Sequence, residues 1–319
     1  MNPKETKIIF WGTPEFALPS LKALIKNGYN IVAVVTNPDE PVGRKQIITP
    51  PPVKTLAQKH KVAILQPVSL KDTNFIKDMP ETDLFVVAAY GKIIPKEILD
   101  IPKLGALNIH PSLLPRWRGP SPIQYTILQG DAEVGVTIIK MDELMDHGPA
   151  IATSNFQLPA SSKQTYKELH DKLAQLGAEL LLATLPKYLR GEIIPVPQND
   201  SRATYSKILK KDDGRITWSR PAVDIKRMIR AFNPWPSTWT LWPSGEKIYR
   251  IRIEEGEAVE EEPAHGSYGF TWQSSTHPLL VKTGRGSIAV KKLTLEGKKS
   301  LHPEDFLRGL PKFINTSLI

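Results

Sequence analysis

Asn108 and His110 stand two residues apart in the run Ala106-Leu107-Asn108-Ile109-His110. A strand over 106–110 places both side chains on one face, one pleat apart, at its carboxyl end. A second polar run, Met141-Asp142-Glu143-Leu144-Met145-Asp146-His147-Gly148-Pro149, follows another apolar stretch and can bring Asp146 back towards the pair. An amide, an imidazole and a carboxylate without a nucleophile suit acyl transfer by direct attack through a tetrahedral intermediate. His110, helped by the Asn108 amide, would donate to the developing oxyanion. Asp146 would fix the imidazole tautomer, or favour its protonated form, and help remove a proton from an attacking amine. Taken singly these residues are ordinary, since strand-end Asn–His pairs hydrogen-bond to each other and acidic loop residues face water. Their convergence is what makes chemistry.

Other chemistries find little support. With no cysteine, disulfides, thiolate metal sites and a Cys nucleophile are excluded. The turn after the first apolar run, Gly12-Thr13-Pro14-Glu15-Phe16, has one glycine where a dinucleotide fingerprint needs three. No Walker spacing precedes a Lys-Ser or Lys-Thr pair, and the seven histidines are scattered, so no metal is expected. The apolar run at residues 8–10 comes too early for a signal peptide, and no apolar stretch is long enough to span a membrane, so a cytoplasmic protein is expected.

The elements that must position these residues alternate in type. Strands are expected at 7–12, 31–36, 83–89, 106–110 and 135–141, with a helix ending near Lys26 and another over 165–189. That alternation indicates a doubly wound, Rossmann-like α/β domain over 1–190. Pro195, Pro197, Asn199 and Asp200 mark 191–206 as a linker. Beyond it, a helix over 222–232 and short strands at 238–242, 247–253, 279–282 and 287–295 indicate a small β-barrel, OB-like, over 207–319. The net charge is +9, and from Ser206 onward 19 Lys and Arg face 13 acids, so most of the excess lies in that second domain. A polyanionic partner is plausible there.

The run His110-Pro111-Ser112-Leu113-Leu114-Pro115 followed by Arg118-Gly119 resembles the signature of the folate-dependent formyltransferase family. The resemblance implies Asn108, His110 and Asp146 as the catalytic trio and 10-formyltetrahydrofolate as co-substrate. It assigns Ser112, Leu113, Leu114 and Pro115 to folate contacts, with Ala89, Tyr90, Gly91 and Ile93 lining the pterin pocket. Three more segments are similar to the branch that acts on initiator methionyl-tRNA: Phe10-Trp11-Gly12-Thr13-Pro14-Glu15-Phe16-Ala17, the basic loop at Gly43-Arg44-Lys45, and Arg230-Ala231-Phe232-Asn233-Pro234-Trp235-Pro236. That implies transfer of formyl to the methionyl amino group, with Arg44 and Lys45 on the tRNA acceptor stem. Lys207, Lys210 and Lys211 would track phosphates, or simply face solvent. A monomer is expected. Leu144 and His147 stand where the family more often has Gly and Thr; His147 is read as a structural residue of its loop. A formyltransferase acting on a nucleotide-linked sugar amine and a non-catalytic RNA-binding protein are the alternatives. The sugar enzyme is not expected to carry both the Arg44 loop and the basic barrel, and the presence of Asn108, His110 and Asp146 together argues against a bare binding protein.

Overall fold

A computed structural model describes residues 4–43, 45–159 and 162–319. The chain divides into two compact units, one of residues 1–122, 132–159 and 169–207, the other of 123–131, 160–168 and 208–319.

Seven strands form the sheet of the first unit. In spatial order they are Ala63–Leu65, Asn30–Val35, Lys7–Gly12, Leu84–Ala88, Ala106–His110, Glu133–Lys140 and Ala150–Gln157. The first five are mutually parallel, as the apolar, doubly covered runs at 7–12 and 84–88 indicate. The expected strand near 135–141 is present but runs antiparallel to the His110 strand, pairing Leu107 with Lys140 and His110 with Thr137. It is followed by an antiparallel neighbour, Ala150–Gln157, which the polar sequence Thr153-Ser154-Asn155 conceals. The sheet is therefore doubly wound with an antiparallel margin. Its parallel order reverses between Lys7–Gly12 and Leu84–Ala88, the place where such sheets open a crevice at the carboxyl ends.

The two faces of the Ala106–His110 strand have separate uses. Leu107 and Ile109 are fully buried, and the helix Tyr166–Leu189 lies against Ile109 and Val136 through Gly177. A β-carbon at Gly177 would sit 2.7 Å from Ile109 Cγ2, so the close approach depends on its absence. Asn108 and His110 take the opposite face.

Residues 191–206, expected as a linker, are hydrogen-bonded within the first unit. Arg118 and Tyr205 form a bridge, Ala150 pairs with Val196, and the Thr204 amide donates to the Pro115 carbonyl.

The second unit is a five-stranded antiparallel sheet in the order Thr238–Ser244, Lys247–Val259, Ser287–Leu295, Leu280–Lys282 and Thr271–Trp272. Ile225 and Ile229 of the helix Ala222–Phe232 join a core with Ile251, Ile253, Val281, Ile288 and Val290. The terminal residues link the two edges of the sheet. Thr271 N donates to Thr316 O, Leu318 N to Gly269 O, and Ile319 exchanges both backbone bonds with Leu241. Those bonds close the short strands into the expected barrel and leave neither edge bare.

Candidate active site

Three segments meet over the Asn108–His110 face. Because the strand Glu133–Lys140 ends beside Leu107, the segment after it starts near the amino end of the His110 strand. It then folds back across the face carrying Asn108 and His110. There Asp146 takes a left-handed backbone, φ 50°, and turns its carboxylate inwards. Asn108 Nδ2 donates to Asp146 Oδ1 at 3.3 Å, and His110 Nδ1 lies 3.5 Å from the same oxygen. The Gly119 amide donates to Asp146 Oδ2 at 2.7 Å. Thus the trio inferred from the two polar runs comes together around one carboxylate, which is mostly shielded from solvent.

His110 is 5% exposed and clamped on both ring nitrogens. Its Nε2 is 2.9 Å from the Trp117 carbonyl, which can only accept, so Nε2 carries the hydrogen there. In this conformation the hydrogen expected to serve an oxyanion is given to Trp117, while Nδ1 faces Asp146. Gly119 is also constrained. It has φ 104°, and a β-carbon on it would lie 2.6 Å from Ser206 O, so only glycine brings its amide to Asp146 without displacing that chain.

The expected folate residues lie along the same edge. Val87 pairs with Asn108, and Ala89 follows directly after the end of that strand at Ala88. Ala89 and Gly91 are exposed with left-handed backbones, and Ile93 is exposed at 74%, which offers open backbone and an apolar surface to a flat heterocycle. Tyr90 is different. Its ring is 2% exposed, packed edge-on to Trp11, and burial pushes its phenol up to about 12. Only its backbone carbonyl turns towards the strand ends, where it accepts from Thr13 Oγ1 and Asn37 Nδ2.

Ser112 is buried and donates its hydroxyl to Arg116 O, while Leu113, Leu114 and Pro115 are half-buried. Thr137 anchors this turn: its hydroxyl donates to Ser112 O at 2.8 Å and accepts from the Leu114 amide at 3.1 Å. Nothing in the sequence singled out Thr137, because one hydroxyl in an apolar strand looks like any other.

Among the basic residues, Lys45, Lys207, Lys210 and Lys211 are all exposed, and Arg44 lies outside the described residues. Lys207 falls in the first unit and Lys210 and Lys211 in the second. Trp239 is buried, with Nε1 donating to Lys211 O and the Arg250 guanidinium 4.0 Å over its ring, whereas Trp235 is 54% exposed.

His147, beside Asp146, points the other way. Its Nδ1 is 2.6 Å from Asp142 Oδ2, and Nε2 is 3.5 Å from Asp200 Oδ2. The bond to Asp142 raises its pKa against the opposing effect of burial. It thus acts as a loop brace, in keeping with a structural role.

Two family models account for nearly all of this architecture. Residues 6–185 match the one described as Formyl transferase, and residues 208–311 match Formyl transferase, C-terminal domain. The chain belongs to the formyltransferase family. A methionyl-tRNA formyltransferase of Citrifermentans bemidjiense is 41% identical over 95% of this chain and 93% of its own length. One from Chloroflexus aggregans is 43% identical over 95% of this chain and 97% of its own. Among solved structures, HypX from Aquifex aeolicus in complex with tetrahydrofolic acid superposes with a TM-score of 0.65 at 16% identity. It covers 96% of this chain, which spans only 48% of the longer HypX. WlaRD, a sugar 3N-formyl transferase, gives 0.64 at 19% identity, over 92% of this chain and 99% of its own. These two likenesses establish a shared formyltransferase fold.

Proposed function

We propose that the protein transfers the formyl group of 10-formyltetrahydrofolate to the amino group of methionyl initiator tRNA, acting as a cytoplasmic monomer. Among the described residues no helix is long and apolar enough to cross a membrane. The near end-to-end relatives support the choice of substrate. The single observation that carries the chemistry is the convergence of Asn108, His110 and Gly119 on the Asp146 carboxylate.

The bound folate supplies an activated formyl group on N10. The amine attacks its carbon, a new C–N bond forms, the bond to N10 breaks, and the proton lost by the amine ends on the departing nitrogen. Asn108 is half-buried and presents an amide able to donate to charge developing on the formyl oxygen. The Asp146–His110 pair, aligned by the Trp117 carbonyl and the Gly119 amide, receives the amine proton. The open backbone at 89–93 and the anchored turn at 112–115 fit the folate. Lys45, Lys207, Lys210 and Lys211 supply phosphate attraction for the tRNA, with Arg44 beside Lys45 in sequence.

Incubating the protein with 10-formyltetrahydrofolate and charged initiator tRNA yields formylmethionyl-tRNA on this reading, and His110→Ala lowers turnover strongly. Transfer to a nucleotide-linked sugar amine, with tRNA left unmodified, would assign the chain to the other branch of the family.

A further inference from the structure

Asp146 has a left-handed backbone, which aspartate enters more readily than most side chains, and here partners outside the turn hold it. The neighbouring stretch 191–206 supplies the hold. Gln198 Nε2 donates to the carbonyl of Asp146 and to that of Gly148, each at 2.8 Å. Its Oε1 accepts from Arg118 Nε at 3.1 Å and from Nη2 at 2.9 Å. These partners fix the amide's orientation, since two carbonyls demand the NH2 group and a guanidinium demands the oxygen.

Arg118 is itself a rigid support. It is 2% exposed, its Nη2 also donates to Asp200 Oδ1 at 2.7 Å, and Nη1 reaches Tyr205 Oη at 3.4 Å. Its backbone amide donates to Thr204 O and its carbonyl accepts from Ser206 N. A residue at 198 must therefore offer two donors on one nitrogen, one acceptor for a guanidinium, and the reach to join them. Glutamate has no donor, lysine has no acceptor, and asparagine is one carbon short. Only glutamine meets all three demands here.

We propose that Gln198, oriented by buried Arg118, is the positioning residue that holds Asp146 in the conformation aiming its carboxylate at Asn108, His110 and Gly119. This rests on reading Asp146 as part of the catalytic trio. The hydrogen bonds of Gln198 go to backbone carbonyls of the Asp146 turn and to Arg118, not to the side chains of Asn108, His110 or Asp146, so it acts through the backbone of that turn. A stretch with the composition of a linker thereby becomes part of the catalytic apparatus.

The test is a double-mutant cycle on the full chain with Gln198→Ala, Gln198→Glu, Asp146→Ala and the Gln198→Ala/Asp146→Ala pair. Glutamate keeps the length and the Arg118 contact but sets an acceptor against two carbonyl oxygens. Loss of the hold lowers kcat on the order of 10- to 100-fold in both Gln198 variants, with the KM for 10-formyltetrahydrofolate unchanged. Added to Asp146→Ala, the Gln198 change costs nothing further, because the group it positions is already gone. Full activity in Gln198→Glu, losses that multiply in the double variant, or unfolding of both single Gln198 variants by circular dichroism overturns the positioning role alone. An unchanged kcat in Asp146→Ala instead sinks the catalytic trio and takes this proposal with it.

Discussion

Replacing Asp146 with asparagine changes one oxygen to NH2 and removes a charge while keeping the shape. Its consequence follows from the donors around the carboxylate. Oδ2 accepts from the Gly119 amide at 2.7 Å, and Oδ1 faces Asn108 Nδ2 at 3.3 Å and His110 Nδ1 at 3.5 Å. If the asparagine keeps its oxygen on Gly119, its NH2 meets the Asn108 NH2 donor. If it flips, two N–H groups oppose each other at the Gly119 position. Either way one shielded donor loses its acceptor, at a cost of about 1–3 kcal/mol to stability. For a unit of this size each 1 kcal/mol lowers the melting midpoint by roughly 2–4 °C. On the proposed function the catalytic loss is larger, because the variant also lacks the carboxylate assigned to receive a proton. A fall in kcat of about 10²–10⁴-fold is expected, equivalent to roughly 2.7–5.4 kcal/mol in the barrier. Single-turnover transfer from 10-formyltetrahydrofolate to charged initiator tRNA measures the chemical step directly, and thermal unfolding measures the fold. A variant that unfolds near the parent temperature yet transfers at the parent rate refutes a chemical role for this carboxylate.

Other outcomes follow from the same geometry. Lys45→Ala, or Lys210→Ala with Lys211→Ala, should flatten the log–log dependence of tRNA affinity on salt by about 0.7–0.9 for each phosphate no longer neutralised; an unaltered slope shows that those side chains only face solvent. His147 is stabilised as a cation by Asp142 first and then Asp200, which lifts its pKa above the usual 6.5. Its contribution to stability is complete below pH 6.5 and lost as pH rises through the elevated folded value. Unfolding midpoints recorded across that range should therefore converge for the parent and His147→Gln at the alkaline end, and a constant gap contradicts the brace. Leu318→Ala, at a 2% exposed position in the tail that closes the barrel, should cost about 2–5 kcal/mol in urea unfolding. A loss within the noise of the fit would mean the tail does not secure the barrel.

How far the site could be read beforehand depended on the range of the forces involved. The strand Leu84–Ala88 was legible because a strand covered on both faces has to be apolar throughout, and all five of its residues are buried. Asn108 and His110 were legible because a period of two puts them on one face whatever lies around them. The antiparallel direction of Glu133–Lys140 was not, since a buried strand has the same composition either way. Nor was Ala150–Gln157, an edge strand whose alternate residues face solvent and carry no apolar signal. The barrel was indicated by short strands between turn residues, but its closure by residues 315–319 depends on backbone bonds to two distant strands.

Residues 191–206 show how little of an irregular segment's role local pattern carries. Pro195, Pro197, Asn199 and Asp200 prevent a regular helix or strand, and the same composition serves a free linker equally well. An irregular chain leaves its side chains and backbone groups available for irregular partners. Gln198 can bridge two carbonyls of one turn and a buried guanidinium because no ladder constrains it. The turn at Asp146, the left-handed Trp117 and the φ of Gly119 are likewise conformations that regular structure forbids; the first carries the carboxylate, Gly119 donates to it, and the Trp117 carbonyl holds His110. A carboxylate must be aimed at two side chains of a strand from a segment that leaves at the strand's other end. Only non-repetitive backbone can make that path, and only neighbours distant in sequence can hold it. Local pattern therefore points to the polar groups that could converge, while the groups that hold them together become visible only once the chain is folded.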